Sequence, residues 1–103
     1  MIQFEKTGAM YLKQLVGFFV KASGDHRIGP HHVALYVALF QEWCINNCQD
    51  PISISPQKLR QLAKIGRTTY HKCLHELQAC GFIKYIPSYS HVIGCYVYMV
   101  QLS

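Results

Sequence analysis

Acidic side chains are scarce in this chain. It has only five in 103 residues: Glu5, Asp25, Glu42, Asp50 and Glu76. They are scattered, so they form no evident acid–base pair or two-metal site. A glycine-rich phosphate loop and a nucleophile elbow are also missing. The expectation is a protein that is not an enzyme. No apolar run reaches about 18 residues, which argues against a transmembrane helix. No cluster of Lys or Arg stands beside an apolar anchor, as a membrane-surface segment requires. Met1 to Met10 contain Glu5 and Lys6 and lack the basic-then-apolar order of a secretion signal. A cytoplasmic location is expected. The cysteines, Cys44, Cys48, Cys73, Cys80 and Cys95, are odd in number and include no CxxC pair. Reduced, they behave as small core hydrophobes.

Apolar residues are plentiful, at 50%, while charged residues make up only 15%. A chain of this length and composition folds as one domain, residues 1–103, with a real core. Its charge is unevenly placed. Between Pro56 and Tyr85 lie Lys58, Arg60, Lys64, Arg67, Lys72 and Lys84, against Glu76 alone. Elsewhere four basic residues face four acidic ones, so the net charge of +5 belongs to that one segment. A concentrated basic surface on short helices is the footprint of a protein that docks on a polyanion, duplex DNA first of all.

The pattern reads as helix, helix, short strand, helix, turn, helix, hairpin. Residues 9–22 form the first helix, with Leu12, Leu15, Val16 and Phe19 on one stripe that Tyr11 and Phe18 widen beyond a single face. Residues 30–48 form a core helix that opens on Pro30 and repeats Val33, Tyr36, Val37, Phe40, Trp43 and Cys44. Ile52-Ser53-Ile54 alternates as a small edge strand. In segment 55–79 Ser55-Pro56 starts a helix that buries Leu59, Leu62 and Ala63. Ile65-Gly66 turns the chain into a fourth helix, which buries Tyr70, Cys73, Leu74 and Leu77. Gly81 stands where a positive φ is needed, and residues 82–102 form a hairpin. The fold class is mainly α with a small β-hairpin (α+β).

This order resembles the winged helix-turn-helix. The resemblance is carried by Ser55-Pro56-Gln57-Lys58-Leu59-Arg60-Gln61-Leu62-Ala63-Lys64, by Arg67 to Leu77, and by Gly81-Phe82-Ile83, with an additional N-terminal helix. The chain is also similar to small stand-alone winged-helix transcription regulators of bacterial genomes and mobile elements. That likeness rests on Pro30 to Tyr36, Pro51 to Ser55 and Thr69 to Cys73. It implies binding to double-stranded DNA in the nucleoid but no specific target. No cofactor, metal or small-molecule ligand is expected.

A helix set in a major groove reads bases with the side chains opposite its buried face. On the fourth helix these are Arg67, Thr68, Thr69, His71, Lys72 and His75. Arg67 suits a bidentate pair with guanine, and Lys72 suits phosphate. Lys58 adds charge from the third helix. The hairpin tip offers Ser88, Tyr89 and Ser90 to phosphates but no fixed cation. His71/His75 and Cys44/Cys48 each have the i, i+4 spacing that can chelate zinc, but neither has the spacing of a zinc finger or ribbon. The apolar surplus on the first helix suits a homodimer, which would match half-sites about 34 Å apart. The rival reading is a protein-interaction module that uses Tyr85, Tyr89, Tyr96 and Tyr98. An accessory factor for a mobile element needs the same groove contacts.

Overall fold

The computed structural model describes residues 4–87 and 95–102. Four helices and three strands follow one another as α1 (Phe4–Ser23), α2 (Pro30–Ile45), β1 (Ile52–Ile54), α3 (Pro56–Ala63), α4 (Arg67–Ala79), β2 (Ile83–Ile86) and β3 (Cys95–Met99). The strands form an antiparallel sheet in the order β1-β3-β2. The expected hairpin is therefore two-thirds of a three-stranded sheet, because β1 pairs along the free edge of β3. Ile52 faces Val97 in register, and Tyr85 faces Val97 from the other side. Period-2 alternation explains the recruitment: Ile52 and Ile54 are buried while Ser53 is exposed.

The core is built around α2. Leu35, Tyr36, Ala38, Leu39 and Trp43 are buried on it. They span more than one stripe, so α2 is packed on several sides. Pro30 sits in its first turn, and the Gly29 N–H donates to His32 Nδ1 at 3.0 Å, meeting one of the free donors there. The helix stops at Ile45, earlier than residue 48.

The first helix presents a different face from the one its Leu/Val spacing suggests. Phe18 is fully buried and stacks on Tyr36, with ring centroids 3.7 Å apart and planes within 4°. Phe82 meets Phe18 edge-on at 5.2 Å. Gln14, one turn earlier, is also buried. It donates to the Tyr36 hydroxyl at 3.0 Å and to the Val100 carbonyl at 2.8 Å, and accepts from the Leu102 N–H at 3.2 Å. Gln14 thus satisfies polar groups that burial would otherwise leave unpaired, and it fastens the segment after β3 to α1. Gly17 allows that close passage: a Cβ there would run into the Leu102 carbonyl oxygen. With the aromatic face turned inward, Leu12, Val16 and Val20 are left 64%, 57% and 69% exposed.

Helices α3 and α4 form the segment that carries the charge. The Ser55 hydroxyl accepts from the Lys58 N–H at 3.3 Å and caps α3, with Pro56 in the first turn. Leu59 and Ala63 are buried, but Leu62, expected beside them, is exposed. On α4 the four expected residues, Tyr70, Cys73, Leu74 and Leu77, are all buried. Gly81 has φ +83°. The Phe82 N–H bonds the Leu77 carbonyl and the Gly81 N–H bonds that of Gln78, the paired closure that a left-handed residue makes possible.

Candidate nucleic-acid interface

The buried face of α4 determines what its other face shows. With Tyr70, Cys73, Leu74 and Leu77 held in the core, Arg67, Thr68, His71, Lys72 and His75 are exposed and Thr69 is half-buried. All six are thus on one helix, and five are exposed. Two have neighbours that limit their freedom. The His71 ring lies edge-on to Tyr70 at 5.1 Å, and the His75 ring lies edge-on to Tyr85 of β2 at 5.9 Å. Tyr70 itself belongs to the core, as its spacing indicated. Ser88, Tyr89 and Ser90 lie outside the described residues.

The structure sorts the basic residues into paired and unpaired. Lys58 Nζ lies 2.9 Å from Glu42 Oε1 on α2, an ion pair without the alignment of a hydrogen bond. Its charge is therefore largely matched within the chain. Arg27 binds Asp25 through two nitrogens, at 2.9 and 2.8 Å, and this holds the Asp25 carboxyl down at about 2. Lys21 reaches the Gly81 carbonyl at 3.5 Å and sits 4.9 Å from the Phe82 ring centre. Glu76, the one acid of the basic segment, meets His32 Nε2 at 3.3 Å, an interaction joining α4 to α2. By contrast, Arg60, Lys64, Arg67, Lys72 and Lys84 have no ion-pair or hydrogen-bond partner among the described residues. Unmatched positive charge is what an anionic partner meets first.

Arg60 and Lys64 belong to the basic segment of the sequence but not to the interface expected from it. Both line an open recess of about 580 Å³ on α3, together with Gln57, Gln61 and Ile65. The signal was present in the spacing: Gln57, Arg60, Gln61 and Lys64 fall at i, i+3, i+4 and i+7, a single helix face opposite Leu59 and Ala63.

Burial disfavours the charged form of four of the thiols. All five cysteines are free. Burial pushes the Cys44 thiol up to about 11, and it raises Cys48, Cys73 and Cys80 as well. Thiols so shifted are neutral at pH 7 and are poor nucleophiles and metal ligands. Among the described residues no three His, Cys, Asp or Glu side chains are grouped as a metal site. No helix among them is long and apolar enough to cross a membrane. Comparison of the chain with known protein families, with curated proteins and with solved structures gives no match.

Proposed function

We propose that this protein binds double-stranded DNA as a winged helix-turn-helix transcription regulator of the bacterial nucleoid, with α4 in the major groove. The observation that carries the reading is the exposed face of α4. It holds two unpaired cations, two threonines and two histidines, and its one acid is drawn aside to His32. In this reading Arg67 contacts a guanine edge, Thr68 and Thr69 contact phosphates or thymine methyls, and Lys72 contacts phosphate. The order α2, β1, α3, α4, β2, β3 and the sheet order β1-β3-β2 support the winged-helix assignment.

The test is fluorescence anisotropy on a duplex of random sequence over a salt series. Wild type is expected to bind at low salt, with log Kobs falling linearly against log salt. Arg67→Ala/Lys72→Ala removes one base contact and one phosphate contact, so binding should weaken and the slope should become shallower by about 1, the share of Lys72. Binding that ignores both the salt and the double substitution would rule out this docking. The rival, a partner protein gripped by the sheet, would then take precedence.

A further inference from the structure

The C-terminal ends of α3 and α4 are closed by closely similar backbone turns. After α4 the left-handed position is filled by Gly81, the residue that adopts it freely. After α3 it is filled by Lys64, with φ 60° and ψ 41°; the Lys64 and Ile65 N–H groups both bond the Arg60 carbonyl. A side chain with a Cβ is strained there, and glycine would close the turn as well. The Lys64 ammonium makes no ion pair or hydrogen bond among the described residues. Asn47 and Cys48 also have positive φ, but Lys64 alone of the three sits beside an unpaired arginine, and a strained backbone position of this kind points to a use for its side chain.

Its surroundings indicate the use. Arg60, one turn earlier, has its Nε buried with no hydrogen-bond partner. Gln57 and Gln61 complete the polar wall of the recess, and no acid lines it. Lys58, on the same helix, is matched by Glu42, so the chain neutralises one cation of α3 and leaves two free. Two free cations and two amide donors around a recess are the chemistry that holds a phosphate oxygen cluster. Lys64 is three residues from Arg67, at most about 11 Å along the chain. That is within the width of one major groove, about 12 Å.

We propose that the α3 recess is a phosphate seat, in which Arg60 and Lys64 hold a backbone phosphodiester of the duplex whose groove α4 enters. This inference rests on the DNA-binding reading above. The seat adds two ionic contacts to those of α4, and it fixes the position of the protein on the backbone without reading sequence.

The experiment adds Arg60→Gln/Lys64→Gly to the salt series and uses Arg67→Ala/Lys72→Ala as the reference. The expected result is a slope shallower by about 2 for the α3 double variant, which loses two phosphate contacts, and by about 1 for the α4 double variant, which loses one. Lys64→Gly alone guards against misfolding, because it relieves the strained turn; its slope should be shallower by about 1. If the α4 variant loses slope and the α3 variants keep that of wild type, the seat is refuted and the DNA reading stands. If the α3 variants lose slope and the α4 variant does not, the seat stands and the groove docking of α4 is refuted. If wild type fails to bind duplex at low salt, both fall. Titration with inorganic phosphate at constant ionic strength separates the two sources of the anion. Millimolar phosphate binding that the α3 variants abolish, with their DNA slope unchanged, would assign the recess to a free anion and overturn the proposal.

Discussion

At the scale of single residues, the chain keeps local costs that its fold does not require. Lys64 is the clearest. Relief of a left-handed residue is worth about 1–2 kcal/mol, and glycine gives back about 0.5–1 kcal/mol through its freer unfolded state. Lys64→Gly should therefore raise stability by about 0.5–1 kcal/mol in urea titration, with an unchanged m value. No gain would mean that the turn is not strained. The buried thiols and phenols are a second cost, and their sign is opposite to that of paired carboxylates. Burial raises Cys44 from 9.0 to about 11 and Tyr36 from 10.0 to about 12, the latter although the Gln14 amide pulls it down. The unfolded chain loses these protons first as pH rises. Between about pH 9 and 12 the native state holds more protons than the unfolded state, so stability falls with rising pH. The urea midpoint should drop from pH 8.5 to pH 10.5, and Cys44→Ala should flatten the first part of the drop. A midpoint that stays level would show that these groups are more solvated than their positions indicate.

At the scale of elements, legibility followed the strength of local punctuation. Helix α3 was readable at its start because Ser55 and Pro56 each have a local mechanism, and the end of α4 because Gly81 does. The buried face of α4 was readable because one four-residue stripe was the only apolar set on it. Helix α1 misled for the opposite reason. It carries two apolar stripes, and spacing alone cannot say which one the rest of the chain covers. The choice is made by Tyr36 and Phe82, 18 and 64 positions away, of which the first stacks on Phe18 and the second meets it edge-on. Gln14 is buried for a similarly distant reason: its partners are Tyr36, Val100 and Leu102. Leu62 was assigned to the core because α3 is short and its apolar arc was drawn too wide. Within the candidate interface, the α4 face could be read by subtraction from its core. The pairing of Lys58 with Glu42 could not, because it joins α3 to α2. The freedom of Arg60 and Lys64 emerges only once the other cations have been assigned partners.

At the scale of the whole molecule, an exposed apolar stripe and an exposed basic face coexist, and together they suit a two-fold assembly. Leu12, Val16 and Val20 are spaced by four residues, so an antiparallel copy of α1 sets Val16 against Val16 and Leu12 against Val20. That arrangement is self-complementary, as a two-fold dimer interface must be. Val37 and Ile45 are exposed too, but singly and on another helix. Each copy measures 37 × 35 × 21 Å, and one turn of B-DNA spans about 34 Å. Two copies abutted through α1 therefore have the width to place their α4 helices in successive major grooves on one side of a duplex. We expect wild type to sediment at twice the 11.8 kDa chain mass at micromolar concentration. Val16→Asp, which would place two carboxylates face to face at the two-fold axis, should sediment as a monomer with its helical content intact. On DNA the monomer should lose about half of the salt slope, because half of the phosphate contacts leave with the second copy. A wild-type monomer, or a Val16→Asp variant with the full slope, would end the dimer proposal. The α4 reading would survive either result, since a single copy already presents that face.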